Sequence, residues 1–190
     1  MNEAYPIIRF LVGDIMEQPF DLLFWPEDTM EVMGPTLGAI RSAVGDTTMK
    51  EAMDRLKDAQ PLALGKILVS PFLPRPGARL MRTVIHDFAR TPTASSALVL
   101  AVIRVGLQWA VARGCMAMVM PPLGVGHGGI SAWEFGVSLG IVYGSPETLD
   151  EGRTLTVVAA DQSELDHVVM GFNQSEAVGL LNQIPPGELH

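Results

Sequence analysis

The residues best suited to chemistry lie in the stretch Met116 to Ser131, MAMVMPPLGVGHGGIS. Four glycines, Gly124, Gly126, Gly128 and Gly129, fall between Leu123 and Ile130, with Val125 and His127 among them. Glycines reach backbone angles that turn successive N–H groups inward, so such a loop cradles an anion without a charged side chain. Upstream, Met116 to Met120 is a short unbroken apolar run between Gly114 and Pro121-Pro122, which suits a strand buried on both faces. Downstream, Ser131-Ala132-Trp133-Glu134 is a capping box that starts a helix, and the helix dipole adds positive potential. Strand, glycine loop and helix start together fit a phosphate or diphosphate. The competing reading is a tight turn that needs glycine only for sterics.

His127 is the one ionisable side chain in the loop. It suits a phosphate contact, acid–base work near neutral pH, or a ring facing solvent, and the first and last fit better than catalysis. His86-Asp87 sits at a strand end, where a structural hydrogen bond is the expected role. Gly124-Val125-Gly126-His127-Gly128-Gly129 also matches G-x-G-x-x-G, the dinucleotide fingerprint. That fingerprint needs an acid about 20 residues on and further βαβ units. Asp161 lies well past that spacing and room for only one strand follows, so a Rossmann site is rejected. His86, His127 and His167 lack metal-ligand spacing, and no metal or cofactor is expected. Cys115, the only cysteine, excludes an intrachain disulfide and reads as a packed core thiol.

The elements that position this loop follow from the pattern. Pro6 to Val12 reads as a strand ending at Gly13-Asp14-Ile15, and Asp21 to Trp25 as a second, stopped by Pro26. Gly34-Pro35 opens a helix through Leu37, Ile40 and Val44, and Thr48-Met49-Lys50-Glu51 caps another to about Ala59. Gly65 to Phe72 and Leu80 to Phe88 read as strands. Ser95 or Ser96 caps a long helix to Arg113, apolar nearly all round and therefore expected to be packed between the sheet and a neighbour. The Ser131 helix reaches about Tyr143. Leu155 to Ala160 is the last strand, and Asp161 caps a final helix. Strands alternating with helices predict a three-layer αβα sandwich with a mixed central sheet, Met116 to Met120 near its middle. The folded domain is placed at residues 1–172, with a helical or flexible tail at 173–190.

At 190 residues, with 48% apolar and 18% charged, the chain is expected to form one domain with a substantial core. A net charge of -8 argues against non-specific binding to nucleic acid or anionic membrane. Arg75, Arg79, Arg82 and Arg90 still cluster in sequence and offer a local basic groove. The N-terminus MNEAYPIIRF lacks a signal-peptide layout, and Ala97 to Ala112 is too short to span a bilayer. A cytoplasmic protein is the default. Eleven methionines and an apolar tail fit self-association into a homo-oligomer, although methionine is usually core filler.

Together these residues resemble a macro domain over roughly residues 6 to 170. The resemblance rests on Gly13-Asp14-Ile15 after the first strand, the Asp-led strand Asp21 to Phe24, Met33 to Ile40, Val84-Ile85-His86, the long helix Ser96 to Arg113, and the loop Pro121 to Gly129. Its most specific part, Pro122 to Ile130, looks most like the branch of antitoxin and terminal ADP-ribose glycohydrolases. The resemblance implies that Gly124, Val125, Gly126, His127, Gly128 and Gly129 hold the diphosphate of ADP-ribose. It further implies that Asp14, with Ile15 beside it, reads adenine. Departures weigh against inherited catalysis. Where the family has Asn-Ala-Ala-Asn, this chain has Phe24-Trp25-Pro26-Glu27, leaving Glu27 to accept a ribose hydroxyl and Trp25-Pro26 to narrow the distal-ribose end. Gly-Gly-Gly becomes Met33-Gly34-Pro35, and Thr36 and Leu37 offer no base. The branch's catalytic lysine corresponds to Arg90, which stays charged and forms no Schiff base, and the adenine-stacking aromatic falls near Ala160. The expected function is a binding module for ADP-ribose or a related nucleotide diphosphate. The alternatives are a macro-like scaffold for protein assembly and an ADP-ribosyl glycohydrolase with a non-standard active site.

Overall fold

The structure, a computed structural model, describes residues 7–30, 62–72, 75–145 and 152–181. The expected helices at 35–45 and 48–59 and the Met33 to Leu37 stretch lie outside the described residues. Strands β1 (Ile7–Val12), β2 (Leu22–Asp28), β3 (Ile67–Pro71), β4 (Arg79–His86), β5 (Ala117–Met120) and β6 (Thr154–Ala159) form one sheet in the order β1-β6-β5-β2-β4-β3. Every neighbouring pair is parallel except β3 with β4, so the sheet is mixed. β5 lies between β6 and β2, and its continuous apolar run is explained by both faces being packed: Met118 and Met120 enter one core cluster and Val119 the other. Met116 lies outside this strand and is half exposed. Asp21 anchors the strand's start, its Oδ2 accepting the N–H groups of Met116 at 2.8 Å and Ala117 at 3.0 Å.

Pro26 does not stop β2, which continues to Asp28. The ladder between β2 and β5 covers only Leu22 and Leu23, whereas that with β4 continues past Pro26. On the β5 side Pro26 thus behaves as an edge residue, where a missing N–H forfeits no ladder bond.

Three helices are described: α1 (Ser96–Ala112), α2 (Ala132–Tyr143) and α3 (Gln162–Leu181). Leu22 and Phe24 of β2 point into a core shared with all three. The alternate residues Leu23 and Trp25 face the other side, among Ile15, Phe20, Phe72 and Val158. α1 is less enclosed than expected. It buries Val99, Val102, Ile103, Gly106, Leu107 and Ala110, while Ala97, Ala101, Val105 and Gln108 face solvent. Its solvent side is merely built from small or apolar residues, which hides the amphipathic spacing.

α2 and α3 are in close contact through glycine. A Cβ on Gly171 would lie 2.1 Å from the Trp133 carbonyl oxygen, and one on Gly136 would lie 2.1 Å from that of Val168. α3 runs unbroken across position 172/173, where the sequence places the start of a tail.

Candidate functional site

Because β1, β6, β5, β2 and β4 are parallel, their carboxyl ends share one edge, the usual ligand edge of such sheets. That edge gathers Asp14, Asp28, the Asp87 to Arg90 connection and the Leu123 to Ile130 loop.

The loop leaves β5 and doubles back. Gly124, Gly126 and Gly129 have φ of 77°, 74° and 80°, a left-handed geometry open to glycine at little cost. A short 3-10 turn spans Gly126–Gly128, and Val125 bridges to Ile130. Gly128 is tight for a different reason: a Cβ there would sit 2.8 Å from His86 Cε1. The connection after β4 holds the loop from the side. Thr93 Oγ1 donates to the His127 carbonyl at 2.8 Å, and the Ala94 N–H donates to the Gly128 carbonyl at 2.9 Å. Val125, between two left-handed glycines, is extended (φ -76°, ψ 155°), so the chain changes direction sharply at each glycine. The His127 side chain is exposed.

The α2 N-terminus contributes less than its dipole suggests. The capping box is formed, with Ser131 N–H donating to Glu134 Oε2 at 2.7 Å and Glu134 N–H donating to Ser131 Oγ at 3.1 Å. The Ser131 backbone N–H, then its hydroxyl, hold the Glu134 carboxyl below the usual range. The capping box thus occupies the Ser131 and Glu134 N–H groups, and the Glu134 carboxylate offsets the positive end of the helix dipole.

Asp14 caps the turn Ile15–Glu17, its Oδ1 accepting the Met16 N–H at 2.8 Å. Oδ2 has no partner among the described residues. Ile15 is buried in the second core cluster and fixes the turn from below. Arg75 clamps the same segment, donating to the Gln18 carbonyl at 2.6 Å and the Met16 carbonyl at 3.1 Å with its guanidinium over Phe20. The four clustered arginines thus separate instead of forming a groove. Arg79 lies by Trp109, Arg82 pairs with Glu27, and Arg90 pairs with Asp87 at 2.9 Å.

Glu27 is buried, with Oε2 3.6 Å from Arg82 Nη1. Trp25 is only 2% exposed and packs in the core, so its indole does not narrow the ligand edge as expected. The end of β2 instead presents Asp28, 3% exposed, whose Oδ1 accepts the Met30 N–H at 2.7 Å. Reading Pro26 as a strand stop hid this residue. Asp28 faces His86 electrostatically. Burial pushes the His86 imidazole below its usual pKa, Asp28 opposes that shift, and His127 adds to it. Thr93 Oγ1 lies 3.4 Å from His86 Nδ1. Beyond β2 and β4 a cavity of about 430 Å³ is lined by Thr29, Met30, Leu62, Phe88 and Arg90, among others. Ala160, at the place of the stacking aromatic, donates its N–H to Glu164. Among the described residues no cluster of metal-ligating side chains occurs.

No family model matches the sequence, nor does any curated protein. Solved structures do match. The Oceanobacillus iheyensis macrodomain with ADP is similar at a TM-score of 0.71 and 18% identity, over 91% of this chain and 90% of that one. A mutant of the same macrodomain with ADPR gives 0.72 and 16%, over 90% and 92%. This chain has the macro-domain fold. The macrodomain of Thermus aquaticus DarG is similar at 0.63 and 20%, over 80% of this chain and 98% of that one. The macro-domain fold accounts for the mixed sheet and bears out the three-layer α/β class expected from the sequence. Among the described residues, no helix is long and apolar enough to cross a membrane.

Proposed function

We propose that this chain is a binding module for ADP-ribose or a related nucleotide diphosphate. The observation that carries it is the loop Gly124 to Gly129, with three left-handed glycines at the carboxyl edge of a parallel sheet in the macro-domain fold. The names of two similar structures, one with ADP and one with ADPR, support the ligand class. In this reading the loop backbone from Gly124 through Val125, Gly126, His127 and Gly128 to Gly129 holds the diphosphate. Asp14 Oδ2 accepts from the adenine amine while Ile15 fixes the turn. Glu27 is left out of the ligand set because its carboxylate is committed to Arg82.

Binding is the function rather than fast turnover. Arg90 is paired with Asp87 at 2.9 Å, and a guanidinium group offers donors but no acceptor for base or nucleophile work. The net charge of -8 keeps bulk nucleic acid off the surface, and a cytoplasmic location accords with a nucleotide ligand. Calorimetry with ADP-ribose and ADP, beside a turnover assay on ADP-ribosylated protein, tests this. Saturable binding of ADP-ribose with no release of product is expected. Absence of binding, or rapid turnover that vanishes in His127→Ala, would overturn it.

A further inference from the structure

The strand order gives the ligand edge a direction. Asp14 follows β1, the glycine loop follows β5 two strands away, and the cavity lies beyond β2 and β4. With parallel neighbours about 4.8 Å apart, β1 to β4 spans about 19 Å. A ligand with adenine at Asp14 and its diphosphate in the loop must direct its other end into that cavity. At about 430 Å³ the cavity is within the range of small-molecule sites and has room for more than a sugar.

Its lining says what that group is. Phe88 is 52% exposed, as is Met30, and Leu62 lies behind them. An aromatic ring at the mouth of a cavity offers a face for stacking. Phe88 is also held in orientation. Its ring lies 8° from parallel to His86, with centroids 6.0 Å apart. The connection that carries it is pinned by Ala89 N–H on Asp87 Oδ1, Arg90 N–H on the Asp87 carbonyl, and Asp87 N–H on the Thr93 carbonyl. That same Thr93 donates to the glycine loop, so the ring and the diphosphate site are set by one segment.

We infer that the cavity receives a planar heteroaromatic ring carried on the distal ribose, making the ligand a dinucleotide of the nicotinamide adenine type, with Phe88 as the stacking surface. This rests on the glycine loop holding the diphosphate. A nucleobase within a nucleic acid would present a ring of similar shape. The chain's charge of -8 and the Asp87 carboxylate beside the cavity favour a small dinucleotide over a polyanion.

The test is calorimetry on the full chain with nicotinamide adenine dinucleotide and with ADP-ribose, for wild type, Phe88→Ala, Phe88→Trp and Gly126→Val. Phe88 is exposed, so its variants retain the fold, checked by thermal melting. Phe88→Ala should weaken the dinucleotide about tenfold, as loss of one stacked ring does, and leave ADP-ribose within twofold. Phe88→Trp should restore the dinucleotide, and Gly126→Val should weaken both ligands. Equal losses for both ligands in Phe88→Ala, or a dinucleotide affinity indifferent to Phe88, would overturn the inference and leave the loop reading standing. Wild type that fails to bind ADP-ribose would overturn the loop reading itself.

Discussion

Gly126 separates backbone geometry from side-chain volume. Its φ is 74°, and a Cβ built on it meets nothing within 4 Å. A substitution there is not excluded by crowding; only the left-handed backbone resists it. That conformation costs an ordinary L-residue roughly 1–2 kcal/mol, more when it is β-branched, whereas asparagine adopts it several-fold more readily. Gly126→Val should relieve the strain by turning a peptide and withdrawing one N–H from the concavity. A hydrogen bond to a charged group contributes about 1.5–3 kcal/mol, so affinity for ADP-ribose should fall roughly 10- to 150-fold. Gly126→Asn, with a side chain of similar size, should stay within about threefold because it tolerates the same φ. Both proteins should melt within a few degrees of wild type, since the strain is local and the site exposed. Calorimetry with ADP-ribose on the three proteins decides it. Equal losses in the two variants would show that volume matters and φ does not. A valine variant within twofold of wild type would remove the loop from the site.

Other outcomes follow from single contacts. Gly171→Ala should destabilise the fold by about 1–3 kcal/mol in denaturant titration, because its Cβ meets the Trp133 carbonyl at 2.1 Å and overpacks α2 against α3. Ser131→Ala should cost about 1 kcal/mol in the same assay by removing the cap from Glu134 N–H. Glu134 has a lowered pKa, so its contribution should be present above 4.5 and fade as pH falls through the lowered folded value, a loss that Glu134→Gln abolishes. For His86 the folded state favours the neutral ring. Its contribution is full above 6.5 and declines below it as the unfolded chain takes up a proton that the folded chain refuses. His86→Gln should therefore flatten the slope of melting temperature between about pH 6.5 and the lowered folded pKa.

Much of the architecture was legible where local chemistry and tertiary environment agree. β5 is uniformly apolar because both its faces are buried, and Ser131 with Glu134 forms its capping box wholly within one turn. Three features were hidden because they depend on partners far away in sequence. Pro26 reads as a strand end, yet sits inside β2 because β5 has already stopped pairing there. Glu27 reads as a free acceptor at the ligand edge, and only the fold brings Arg82 of β4 against it. Asp28 and the cavity depend on the fold in the same way, since no local pattern announces that residues 29–30 and 87–90 will face each other. The start of α2 carries a positive dipole end, and the Glu134 carboxylate of the same capping box is set against it.

In the proposed function the glycine loop and the Asp14 turn form one site for ADP-ribose. Amide chemical-shift mapping of the full chain during titration with ADP-ribose tests it most directly. The largest saturable shifts are expected on Gly124 to Gly129 and on Asp14 and Ile15, at the two ends of one ligand. Shifts confined to other residues, or none at ligand concentrations in the millimolar range, would contradict it.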